Sequence, residues 1–145
     1  MTARDFLSQA YLLDQRINSK LQQVESLRCL TQRVTQSYSG EAVSRTRSAT
    51  QLEDAIIRLM EVEEELNRQI DVLIDTKIEI SRLIDRVRNE NYRLILEKRY
   101  LCFLPWKQIA EEMHYSRRWV LQKHERELEV VDMLLREGED NNLCP

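Results

Sequence analysis

Ser116, Arg117, Arg118 and Gln122 are the side chains whose types and spacing point most directly to chemistry. Arginine pairs bidentately with guanine and glutamine with adenine. A helix that opens with Arg117-Arg118 and carries Gln122 one turn later therefore has the donors to read base edges. Ser116 stands where a helix is capped, and its hydroxyl can also meet a phosphate. Lys107, Lys123 and Arg126 add cations suited to the phosphodiester backbone, which carries no sequence information of its own. The chemistry implied is hydrogen-bonded recognition of double-stranded DNA. The plain alternative is a solvated basic helix face.

Such a helix needs a scaffold, and Leu104–Gln122 reads as a helix-turn-helix. Ile109, Ala110 and Met113 give the inner face of a short first helix that Pro105 starts. Ala110 is small where the two helices must cross closely. Tyr115 fills the turn, and Val120 anchors the second helix. Trp106 reads as core and Trp119 as half-buried. A support helix over Tyr92–Tyr100, capped by Asn91, would place Ile95, Leu96 and Tyr100 beneath the pair. The last helix is expected from Arg117 to about Glu137, with Leu121, Leu128, Val131 and Leu135 on one stripe and Gly138 as its stop. A unit of about 40 residues has a thin core and needs the helices on either side for stability. The competing reading is a helical hairpin inside an ordinary bundle.

The N-terminal half is long amphipathic helix. Thr2 and Asp5 form a capping-box-like start, and Phe6, Ala10, Leu13, Ile17, Val24, Leu27 and Val34 follow at alternating spacings of four and three, with Lys20 and Thr31 as polar interruptions. This helix is expected to end near Tyr38, before a polar loop over 41–50. A second capping box, Thr50 with Glu53, opens a helix to Arg88. Its seam runs Leu52, Ile56, Leu59, Glu63, Leu66, Ile70, Leu73, Lys77, Ile80, Ile84, Val87, interrupted by two charged residues. Folding the first helix antiparallel against the second gives a hairpin of about 54 Å, at 1.5 Å per residue. A hairpin so long leaves an open side, so a homodimer forming a four-helix assembly is expected. In that dimer Glu63 of one copy could meet Lys77 of the other, if the dyad falls near Ile70; the alternative is that both side chains reach water.

The composition agrees. Two Gly and two Pro in 145 residues argue against a sheet-rich fold, and 32% charged with 42% hydrophobic residues suits partly exposed helices. Net charge is −3, but it is unevenly spread. Residues 92–126 hold eight basic and four acidic side chains, whereas 127–145 hold one basic and six acidic. The positive field coincides with the candidate DNA reader. Three scattered cysteines fit neither a disulfide framework nor a zinc site. No apolar run spans a membrane and no secretory signal is visible, so a cytoplasmic protein is expected. His114 and His124 lack metal-ligand spacing, there is no phosphate-binding glycine loop, and the carboxylates of Glu61–Glu65 read as a solvated face. Neither catalysis, metal nor cofactor is expected.

Ile95–Tyr100, Trp106–Met113 and Tyr115–Val120 resemble the DNA-reading region 4 of sigma-70-type factors. With Phe6–Leu21 and Arg99–Phe103 included, the chain is similar, to about Leu128, to small phage and prophage sigma-like proteins that precede this unit with a long helical segment. The resemblance implies control of phage gene transcription in a bacterial host, with RNA polymerase as a possible further partner. Two positions depart from the pattern: His114 stands where the turn usually has Gly, and Lys123 where an apolar residue is often buried.

The expectation is thus an all-α chain with a helical hairpin over 1–88, a helix-turn-helix domain over 89–137 and a disordered acidic tail over 138–145. Its expected function is sequence-specific DNA binding as a dimer. Recognition of DNA during phage packaging, or docking on polymerase with weak DNA affinity of its own, are the alternatives.

Overall fold

The computed structural model describes residues 1–36 and 42–142, with side-chain surroundings for 1–33 and 49–141. The chain is all-α. Five helices are described: α1 (Ala3–Gln36), α2 (Ala42–Asp85), α3 (Glu90–Leu96), α4 (Trp106–Met113) and α5 (Arg117–Asn142). A π-helical turn, Glu97–Leu101, continues α3. No strand occurs among the described residues, and no helix is long and apolar enough to cross a membrane.

Helix α1 begins as its first residues require. Asp5 N donates to Thr2 Oγ1 at 3.2 Å, while Thr2 N and Thr2 Oγ1 both donate to Asp5 Oδ2, at 3.3 and 2.8 Å. These reciprocal bonds satisfy donors that a helix start otherwise leaves open, and they hold the Asp5 carboxyl below its usual range. The expected end near Tyr38 lies outside the described residues. Helix α2 starts earlier than expected, because Ala42–Thr50 is helical rather than a loop. That stretch is polar but holds neither Gly nor Pro, so nothing in it breaks a helix. Thr50 is consequently inside α2 and is not its cap.

The chain divides into two compact units, Leu13–Val72 and Met1–Leu12 with Leu73–Pro145. In the first, Ile17 and Val24 of α1 and Val62 and Leu66 of α2 are the buried apolar side chains among the described residues. Arg28 there pairs with Glu63 at 2.9 Å. In the second, the ends of the two long helices join the C-terminal helices. Ala3, Leu7 and Ala10 share one core with Ile80, Leu83, Ile84 and Val87 and with Leu96, Tyr100, Leu128 and Val131. Leu7, absent from the expected stripe, is fully buried. Ala3 N donates to Asp132 Oδ1 at 2.7 Å, so a side chain of α5 also caps α1. The expected boundary at 88/89 therefore falls inside a compact unit.

Two further expectations change. Asn89, not Asn91, caps α3: its side chain accepts from Asn91 N at 3.0 Å and Tyr92 N at 3.2 Å. Gly138 does not stop α5, which runs to Asn142; no glycine among the described residues has positive φ, so no left-handed cap forms there. The tail expected from 138 thus begins as helix. Glu63 and Lys77 both find partners in their own chain, Glu63 in Arg28 and Lys77 in the ring of Phe103, 4.7 Å from its centroid.

Candidate nucleic-acid interface

The turn between α4 and α5 is built from its backbone outward. His114 follows α4 with φ 60° and ψ 35°, the left-handed conformation usually given to glycine. Histidine visits this region more readily than most residues, at a cost of roughly 1 kcal/mol. The kink lets His114 N donate to Glu111 O at 3.3 Å and Tyr115 N to Ala110 O at 3.1 Å, satisfying carbonyls at the end of α4. Ser116 then caps α5, its hydroxyl accepting from Trp119 N at 3.1 Å. Beneath the turn, Ile95, Ile109, Ala110 and Val120 form a separate buried cluster, edged by Leu104, Trp106, Met113 and Trp119. The residues assigned to the inner face of the helix-turn-helix meet there.

Arg117, Arg118 and Gln122 are exposed and line one shallow groove on α5, together with Leu121 and Glu125. The other expected contact residues separate from them. Ser116 is exposed but committed to its cap. Lys123 is half-buried, its ammonium 5.5 Å from the centre of the Trp119 ring. That contact explains how a lysine is accommodated at a position where an apolar residue is often buried: its charge lies over an aromatic face. Lys107 and Arg126 are exposed, and neither lines the groove. Tyr115 does not plug the turn; it is 42% exposed and stacks on Trp119, ring centres 3.8 Å apart.

A polar cluster that the apolar pattern of α5 does not reveal lies behind this face. Tyr100 Oη and His124 Nε2 share a buried hydrogen bond of 2.6 Å. Trp106 meets the imidazole edge-on at 4.5 Å, and the Arg99 guanidinium lies 4.6 Å from the centre of the Trp106 ring while donating to Leu104 O at 3.1 Å. Burial, helped by the positive charges of Arg4 and Arg99, pushes His124 down to about 4, so the imidazole is neutral. Burial lifts Tyr100 to about 12. Glu127 is fully buried, neither carboxylate oxygen has a hydrogen-bond partner, and burial raises it to about 8. The sequence does carry a signal for both residues, since His124 and Glu127 fall on the same helical stripe as Val120, Leu128 and Val131. Their polar character hides it.

A family model described as "Protein of unknown function (DUF1492)" matches residues 35–130, well over half of the chain. The chain belongs to the DUF1492 family. The matched segment contains α3, α4, the turn and the first half of α5, and hence the groove of this DUF1492 chain. Comparisons with curated proteins and with solved structures give no match.

Proposed function

We propose that this DUF1492 protein is a sequence-specific DNA-binding regulator of phage gene transcription, a sigma-70 region 4-like helix-turn-helix that reads the major groove as a homodimer. One observation carries the reading. A tight left-handed turn and a serine cap set α5 on α4 so that Arg117, Arg118 and Gln122 lie exposed along its first turns. Base edges are met by this part of a recognition helix. The excess of basic residues over 92–126 supports it, as does the resemblance to small phage sigma-like proteins. Dimerisation is supported by the unit 13–72, whose described residues include four buried apolar side chains but leave Leu21, Leu30, Ile56, Ile57, Met60 and Val72 exposed. The expected setting is the cytoplasm of a bacterial host, without enzymatic activity.

Replacing both Arg117 and Arg118 by Ala tests the reading. Genome-wide occupancy of the tagged wild type gives its sites, and a duplex carrying one of them serves in titration. The double variant should lose the preference for that duplex over a scrambled one, roughly 4 kcal/mol or more for a specific reader, while its helicity and mass stay unchanged. Retained preference would remove the proposed reading surface. Mass in solution separates the alternatives: a dimer fits the regulator, whereas a ring of eight or more copies fits DNA packaging. Duplex affinity that appears only when RNA polymerase is added would favour the docking module.

A further inference from the structure

Next to the reading groove, and sharing Leu121 and Glu125 with it, is a cavity of about 290 Å³. Arg4 and Ser8 of α1, Arg99 of the π-turn, and Trp106, His124 and Glu125 line it. Its charges do not balance. Glu125 is the single acid in the lining, and it is held by Arg4 at 3.2 Å in an exposed pair. Arg99 faces a backbone carbonyl and an aromatic ring, with no carboxylate partner among the described residues. The histidine is neutral and adds no charge, so the cavity is left with a surplus cation.

The first turn of α1 is fixed beside α5. Ala3 N is capped by Asp132, and Ala3 and Leu7 are buried in the core that contains Leu128 and Val131. Arg4 and Ser8 project from that anchored turn. From Arg117 to Glu125 α5 advances by about 12 Å, at 1.5 Å per residue. A recognition helix lying in the major groove is flanked by the phosphate backbones, so a cation held beside α5 about two turns beyond Arg117 has phosphates to meet.

We propose that Arg4 and Ser8, with Arg99 behind them, bind a backbone phosphate of the duplex whose bases α5 reads. The beginning of α1 is then part of the DNA-contact surface, although the sequence places it more than 100 residues from the helix-turn-helix. This rests on the DNA-binding reading above and adds a contact to it. Guanidinium and hydroxyl groups are the usual donors to phosphate oxygens. Glu125 occupies Arg4 in the absence of DNA, and an exposed ion pair is readily exchanged for a phosphate.

Full-length protein titrated with a random-sequence 30-base-pair duplex between 50 and 200 mM KCl provides the test. Arg4→Gln should flatten the dependence of log affinity on log salt by about 1, the change that follows when one phosphate fewer is neutralised. It should weaken binding about three- to tenfold at the middle of that range, to the same extent for every sequence. Arg4→Lys, which keeps the charge, should retain most of the slope. Glu125→Gln should tighten binding in the wild type and do so less when Arg4 is already Gln. If Arg4→Gln binds with wild-type slope and affinity while Arg117→Ala with Arg118→Ala is impaired, the phosphate site is wrong and the DNA reading stands. If the wild type binds no duplex at any of these salt concentrations, both fail together.

Discussion

Glu127 and His124 occupy adjacent turns of one helix and respond to pH in opposite senses. The buried Glu127 carboxyl is raised from 4.5 to about 8, so the folded chain holds a proton that the unfolded chain has released. Its favourable contribution is complete below 4.5 and lost as pH rises towards 8. His124 is lowered from 6.5 to about 4, so below 6.5 the unfolded chain takes up a proton that the folded chain refuses, and stability falls towards pH 4. Tyr100, which faces His124 and is lifted to about 12, stays neutral throughout this window. The two slopes cancel between 4.5 and 6.5, and only that of Glu127 remains above. The melting temperature should therefore be level over pH 4.5–6.5 and decline from 6.5 to 8. The decline should correspond to roughly 1–2 kcal/mol, one proton's linkage over that interval at about 1.4 kcal/mol per pH unit. Glu127→Gln should abolish the decline above 6.5 and leave the rise between 4 and 6.5 that His124 produces. A decline that persists in this variant would place its origin elsewhere.

At the scale of elements, the sequence is most informative where local chemistry decides and least where a residue has to be absent. The Thr2–Asp5 box, the Ser116 cap, the inner face Ile109, Ala110 and Met113 and the anchor Val120 follow from residue type and spacing alone, and the structure gathers them as expected, with Met113 only partly buried at the edge. Helix ends assigned from composition shift instead. Polar Ala42–Thr50 is helical because a stretch without Gly or Pro can extend a long helix without an apolar face of its own. The cap of α3 moves by two residues because Asn89 and Asn91 offer the same side chain, and packing chooses between them. Gly138 is a poor stop signal because glycine ends a helix only if the backbone turns left-handed. An added Cβ at Gly138 would meet nothing within 4 Å, and its φ is not positive. Gly138→Ala should therefore stabilise the protein by about 0.5–1 kcal/mol, by removing the entropy glycine loses in a helix interior. Chemical denaturation reads this directly, and a destabilised variant would mean that α5 ends before this residue. The phosphate-facing pair Arg4 and Ser8 could not be found this way at all, since no local pattern reports which helix end lies beside α5.

At the scale of the molecule, the segment proposed to read DNA is not self-sufficient. A unit of some 40 residues has a thin core, and the structure identifies what thickens it. Of the eleven buried residues in the larger core, Ala3, Leu7, Ala10, Ile80, Leu83 and Ile84 come from the ends of α1 and α2, and Val87 from just beyond α2. Burial of the five larger ones contributes about 8–15 kcal/mol at roughly 1.5–3 kcal/mol each, as much as the whole net stability of a typical domain, about 5–15 kcal/mol. A fragment beginning at Asn89 should accordingly lose most of its helicity and melt without cooperativity, even though it contains α3, the turn and all of α5. A chain in which residues 13–72 are replaced by a short turn, joining Leu12 to Leu73, keeps every residue of that core. It should melt cooperatively and still bind duplex DNA, but as a monomer, because the apolar residues proposed for dimerisation have gone. Circular dichroism and sedimentation of the two chains separate the possibilities. Cooperative melting of the fragment from Asn89 would show that the helix-turn-helix stands alone, and that the start of α1 is not needed to hold α5 in place.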